Sequence, residues 1–276
     1  MALHFHDAHN HLQDERLRPA RAEILAALRR EGIARMVVNG SCEEDWPEVM
    51  SLARSCPEVI PSFGYHPWYV RERSPEWQGR LLQFLDAVPS AVGEIGLDRW
   101  IKDHDLAEQE EVFVWQLRTA AERQLPVSIH CLQAWGRMLE ILEREPRPRC
   151  GFVLHSYGGP AEMVEPLAKL GAYFSLPGCF ALERKVRQRD AFKRVPPDRL
   201  LIETDAPDQN LPAERVAYPL TDQSTQKPIN HPANLPAVYR FAAELRNTSL
   251  EALTDQVGQN FQRLFRLPCL PRPATE

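Results

Sequence analysis

No stretch of the chain approaches the roughly 20 consecutive apolar residues of a membrane-spanning helix, so no membrane segment is expected. The first twenty residues hold Asp7, Asp14 and Glu15 and lack an apolar core, which argues against a secretory or transit leader. Six cysteines (Cys42, Cys56, Cys131, Cys150, Cys179, Cys269) occur with no CxxC or zinc-finger spacing, so they read as reduced thiols of a cytoplasmic protein. An excess of basic charge is also missing. Lys and Arg number 33 against 38 Asp and Glu, a net charge of −5, which excludes a protein that coats nucleic acid through its overall field and leaves only local contacts. A long linker or composition break is absent too, so the chain is not visibly divided.

What is present is ordinary globular composition, 43% hydrophobic and 26% charged over 276 residues, enough for one large barrel or two smaller domains. Short runs rich in β-branched and aromatic residues recur at 3–9, 35–39, 59–65, 91–95, 127–130, 151–155, 172–176 and 200–204. Helical periodicity fills 21–31, 44–54, 76–87, 106–123, 134–143, 161–170, 182–195, 235–245 and 250–265. In 106–123, Val114, Leu117 and Ala121, widened by Phe113 and Ala120, make the inward stripe. Eight strands alternating with helices predict an α/β fold, a single (β/α)8 TIM barrel over residues 1–266, with a Pro-rich tail at 267–276.

In such a barrel the active site lies at the carboxyl ends of the strands. Ionisable residues fall there repeatedly: His9 and His11 after the first strand, His66 after the third, Glu94 and Asp98 on the fourth, His130 on the fifth, His155 on the sixth, and Glu203 and Asp205 on the eighth. Residues i and i+2 of a strand share a face, so His9 and His11 enter one cavity while His4 and His6 point away. A lone histidine at a strand end reads as well as a packed structural residue. Six ionisable groups buried together do not, because their desolvation is costly unless a cation compensates.

Metal ligands are therefore expected at His9, His11, Glu94, His130, His155 and Asp205, a mixed set that suits Zn, Mn, Ni or Fe, leaves the bound ion open among Zn, Mg, Mn and Ni, and is too large for one tetrahedral ion that keeps an open position. Two divalent ions bridged by a carboxylate account for the count. Asp205 and Glu94 are the expected catalytic carboxylates, Asp205 as the base for a metal-activated water, and Asp7 is a candidate for orienting a ligand.

With "DAHNHL", "GYHPW", "GEIGLD", "SIHC", "LHSYGG", "IETDAP" and "INHPANLP" in this order, nearly the whole chain resembles the TatD family of metal-dependent hydrolases, within the amidohydrolase-like group of TIM barrels. The resemblance implies a divalent-metal phosphodiesterase of deoxyribonuclease type, with Glu94 as the bridging carboxylate and His66 as a phosphate-binding or ligand-supporting histidine. Two departures concern the substrate. "HSYGG" stands where many members read "HCFSG", and "INHP" stands where many read "RNEP". The missing arginine, with the acidic net charge, keeps a second function in view: a metal-dependent amide, ester or lactone hydrolase acting on a small molecule.

Trp68, Trp100, Trp135 and Tyr157 follow the candidate ligands and would offer stacking surfaces for unpaired bases; Trp68, Trp135 and Tyr157, with His66, are the expected substrate-binding residues. The basic run 183–194 reads better as a solvated helix face, with Leu182, Val186 and Phe192 inward, than as a phosphate track. The partner expected is thus DNA or another phosphodiester, met by local contacts. The segment 206–231 is long for its position, as loops that set substrate choice often are.

Overall fold

The computed structural model describes residues 3–103 and 105–266. Eight strands, β1 (Phe5–Asn10), β2 (Ile33–Asn39), β3 (Val59–Phe63), β4 (Ala91–Asp98), β5 (Val127–Leu132), β6 (Phe152–Leu154), β7 (Ala172–Pro177) and β8 (Leu200–Glu203), pair in parallel and in sequence order. Every residue of β3, β4, β7 and β8 is buried, as expected of strands covered on both faces, and this is why they read as apolar runs rather than alternations. The seam between the last strand and the first is drawn together at the mouth, where His9 O accepts from Asp205 N at 2.9 Å and Ala206 O accepts from His11 N at 2.8 Å. The fold is the expected (β/α)8 barrel.

Nine helices of the described residues cover the strands: α1 (Arg21–Arg30), α2 (Trp46–Ser55), α3 (Trp77–Ala87), α4 (Leu106–Arg123), α5 (Trp135–Arg144), α6 (Val164–Lys169), α7 (Val186–Arg194), α8 (Leu235–Arg246) and α9 (Leu250–Leu264). Asp105 caps α4 by accepting from Glu108 N at 3.1 Å, and Ser249 caps α9 by accepting from Ala252 N at 3.1 Å. None of these helices is long and apolar enough to cross a membrane.

Two expectations need correction, and a third gains detail. Phe113, Leu117, Ala120 and Ala121 of the α4 stripe are buried as expected, but Val114 is only partly buried, and Gln109, Val112 and Gln116 also face inward. Both amides replace lost backbone partners at the mouth, Gln116 bonding Tyr65 N and O at 2.7 and 3.2 Å and Gln109 bonding Asp98 N and O at 2.8 and 2.9 Å. The helix expected at 182–195 begins only at Val186, because Leu182 is extended and a 3-10 turn follows it; Val186 is 52% exposed rather than inward. The segment 206–231 has structure of its own, a hairpin of β9 (Leu220–Thr221) and β10 (Pro228–Ile229). The tail at 267–276, with Cys269, lies outside the described residues.

"GEIGLD" has a packing reason for its second glycine. Gly96 pairs with His130 on β5 at φ +149°, and a Cβ there would stand 1.9 Å from the His130 carbonyl oxygen. Only glycine lets β4 and β5 approach closely enough to bring Glu94 and His130 together.

Candidate metal centre

The end of β1 delivers its two histidines as strand geometry requires. His9 Nε2 and His11 Nε2 lie 3.2 Å apart, while His6 turns to the outside and packs its ring on Phe261 of α9 at 4.8 Å, and His4 is exposed. His9 is fully buried, with Nδ1 held by Ser128 Oγ at 2.8 Å and Asn39 Nδ2 at 3.1 Å; His11 donates from Nδ1 to Asn39 O at 2.8 Å. These contacts leave both Nε2 atoms facing the same space.

Glu94, 2% exposed, stands at the centre. Its Oε2 lies 3.2 Å from both His9 Nε2 and His11 Nε2. Its Oε1 lies 2.7 Å from His155 Nε2 and 3.0 Å from His130 Nδ1, which are themselves 3.1 Å apart. Asp205 adds Oδ1 at 3.7 and 3.6 Å from His9 and His11, from a residue at φ +50°, a conformation that non-glycine residues adopt mainly where the surroundings enforce it. All six expected ligands therefore meet, each oxygen of Glu94 serving one group.

The separations suit cations. Four donors about 2.1 Å from one ion stand about 3.4 Å apart, and the histidine–histidine and histidine–carboxylate distances in the first group are 3.2–3.7 Å. His9, His11, Glu94 and Asp205 can hold one ion; Glu94, His130 and His155 can hold a second with positions left open.

Electrostatics show how much the cluster needs positive charge. Burial opposes ionisation of Glu94, yet the surrounding imidazoles of His155, His66 and His9 hold its carboxyl well below the usual range. Burial also opposes charge on His11 and His155, but Glu94, assisted by Asp205, raises them to about 10 and about 9. Asp205 is pushed up to about 7, mainly by burial. Without a metal, protons on His11 and His155 supply the countercharge.

His66 has a different task. Its Nδ1 accepts from Trp68 N at 3.1 Å, so the neutral ring carries its proton on Nε2, 3.3 Å from Glu94 Oε1; burial lowers its pKa to about 4. It is a donor beside Glu94. Asp98, fully buried and held near pKa 2 against burial chiefly by His130, bonds His130 Nε2 at 3.0 Å and so aims Nδ1 at Glu94. The same Oδ2 accepts from Trp68 Nε1 at 2.7 Å. Asp7 acts through the main chain instead of a ligand ring, accepting from His9 N at 3.2 Å and from Thr204 N and Oγ1 at 3.0 and 2.6 Å, so it ties β1 to β8.

The aromatic residues divide. Trp68 and Trp100 are exposed at the mouth, 49% and 66%. Tyr157 is not available for stacking: it is fully buried, edge-on to Phe174 and Trp135, and its hydroxyl donates to Pro160 O at 2.7 Å. Trp135, half-buried, spends one edge on Tyr157. Ser156, which distinguishes "HSYGG", donates from N and Oγ to the buried Glu203 at 2.7 and 2.6 Å. In "INHP", Asn230 bonds Thr204 O at 2.8 Å and Pro207 O at 2.8 Å, so this stretch braces the end of β8. Asn39 and Ser128 went unrecognised in the sequence, although Ser128 shares strand parity with His130 and so had to face the barrel interior.

A family model described as "TatD related DNase" matches residues 6–266. The "Uncharacterized metal-dependent hydrolase YjjV" of Escherichia coli (strain K12) is 28% identical over 97% of this chain and 100% of its own. The crystal structure of that TatD homologue superposes with a TM-score of 0.86 at 27% identity, over 97% of this chain and 100% of the other. The "3'-5' ssDNA/RNA exonuclease TatD" of Pantoea sp. (strain At-9b) is 32% identical, over 90% of this chain and 94% of its own.

Proposed function

We propose a reaction from one premise: the chain belongs to the TatD related DNase family and is a metal-dependent hydrolase of the nuclease type. In our reading it cleaves phosphodiester bonds in single-stranded DNA, with two divalent ions at the centre. The observation that carries the reading is the bridging geometry of Glu94, one oxygen toward His9 and His11 and the other toward His130 and His155. When bound, such ions would supply a water of lowered pKa and offset the charge that builds up on the phosphate.

The chain's own groups do the rest. The carboxylate of Asp205, whose Oδ1 lies at the edge of the first donor set, takes the proton from the attacking water. His66 Nε2–H offers a hydrogen bond beside Glu94, and Asp98 fixes His130 and the exposed Trp68 indole together, so a base stacked on Trp68 is held in register with the metal ligands. The Pantoea relative, named a 3'-5' ssDNA/RNA exonuclease, supports the polarity as well as the substrate. Cys42, Cys56, Cys131, Cys150 and Cys179 are free thiols, which supports a place in the cytoplasm.

End-labelled single-stranded oligonucleotides incubated with the protein and Mg, Mn or Zn should shorten from the 3′ end, and a chelator should stop the reaction. Turnover of small esters or amides with intact oligonucleotides would transfer the site to the small-molecule alternative.

Metal uptake should also depend on pH. His11 and His155, raised to about 10 and about 9, stay protonated below those values, and an ion must displace the protons. Affinity should therefore rise with pH between about 6 and 9, with roughly one to two protons released per pair of ions. Calorimetry in buffers of different ionisation enthalpy counts them; a pH-independent affinity would contradict the assignment of these histidines as ligands.

A further inference from the structure

At the beginnings of β1, β2 and β3, the end of the barrel away from the metal centre, a cavity of about 690 Å³ lies between the strands and the last turns of α9. That volume is in the range of small-molecule sites, about 300–1,000 Å³. Three guanidinium groups line it, Arg35 from β2, Arg263 from the last turn of α9 and Arg266 just beyond it, together with His6, Gln262 and Phe261.

Its polar wall is incompletely bonded. His6 is 8% exposed, and its Nδ1 is buried without a hydrogen-bond partner; Arg35 Nε is likewise buried and unbonded. Arg263 and Arg266 are exposed and form no ion pair among the described residues. Glu58 lies within electrostatic reach of Arg35, but its Oε1 already accepts from Arg29 Nε at 3.0 Å. Carbonyls at the end of α9 disfavour an anion, and Arg263 in that last turn offsets them. Arg35 and Arg266 then remain as surplus positive charge.

We propose that this cavity is a second binding site, for a phosphate monoester. A phosphate dianion matches planar guanidinium forks, which bond its oxygens in pairs, and the exposed Arg263 and Arg266 forks are open to receive it. Phe261 and Ile60 give the remainder of a small phosphorylated molecule an apolar surface to rest on. The site is separate from the metal centre and does not depend on what that centre cleaves.

Calorimetric titration of the metal-loaded full chain tests this with inorganic phosphate, adenosine 5′-monophosphate and adenosine. Both phosphates should bind wild type and Asp205→Asn alike, adenosine should not, and the double variant Arg263→Gln, Arg266→Gln should bind at least about tenfold more weakly, the loss expected from charge-assisted hydrogen bonds. Tighter binding of the nucleotide than of phosphate would identify a phosphorylated small molecule as the ligand; equal binding would identify free phosphate. The double variant lies on an exposed helix end and should cleave oligonucleotides at the wild-type rate. Loss of binding in Asp205→Asn with retention in the arginine variant would place the ligand at the mouth and overturn the proposal, as would equal binding of adenosine or no binding in any titration.

Discussion

Glu94→Gln should yield a folded protein that has lost the two proposed ions and its activity. The amide has nearly the shape of the carboxylate, so packing at this buried position is preserved, but it lacks the charge and presents one donor face where two acceptors stood. Each oxygen of Glu94 serves a different pair of histidines, so one substitution damages both donor sets. Changing a group that merely orients a ligand costs about 10- to 100-fold in metal affinity or activity; removing the shared ligand should exceed about 100-fold in each. Elemental analysis and oligonucleotide cleavage, beside an unchanged circular dichroism spectrum, check this. Two equivalents of metal retained in Glu94→Gln would rule out the bridge.

Assayed at saturating metal, because Asp205 also belongs to the first donor set, Asp205→Asn should separate chemistry from substrate binding. Removing a general base costs about 10²- to 10⁴-fold in rate, and the loss should fall on kcat, with KM for the oligonucleotide little changed. The pH profile carries the sharper signature. Burial raises Asp205 to about 7 in the metal-free site, and a neighbouring cation lowers it again, so the wild-type rate should climb with pH along a limb at or below about 7, as the carboxyl loses its proton. The Asn variant has no carboxyl to titrate, and that limb should vanish. A limb that persists would assign the base to another residue.

How much of this could be read from the chain differs by kind of residue. The meeting of the six candidate donors was legible because each lies on or just after the carboxyl half of a strand, or, like Glu94, mid-strand with its side chain at the mouth, and strand order plus parity fix where such a side chain points. Asp98 was visible as one more strand-end carboxylate, but its bond to His130 Nε2 depends on the close approach of β4 and β5 that Gly96 permits. Gln109 and Gln116 were hidden because glutamine on a helix reads as its solvent side; here the unpaired backbone at the mouth draws both inward. Tyr157 misled for the opposite reason: an aromatic beside a ligand suggests a stacking surface, and sequence does not reveal that the ring is enclosed between Phe174 and Trp135. The hairpin β9–β10 has two residues per strand, too short for any periodicity to register.

The seam between β1 and β8 has a consequence for the newly made chain. Five of the six donors have left the ribosome once His155 is out, yet the strands that hold them have no closing partner until residues 200–206 follow, because His9 and His11 are tied down by the backbone of Asp205 and Ala206. The sixth donor and the lock on the first two thus arrive in the same few residues. A chain interrupted before that point has imidazoles that can pick up a metal loosely, but neither the base nor the fixed geometry to use it, so hydrolytic competence comes with completion of the barrel and not by degrees during synthesis.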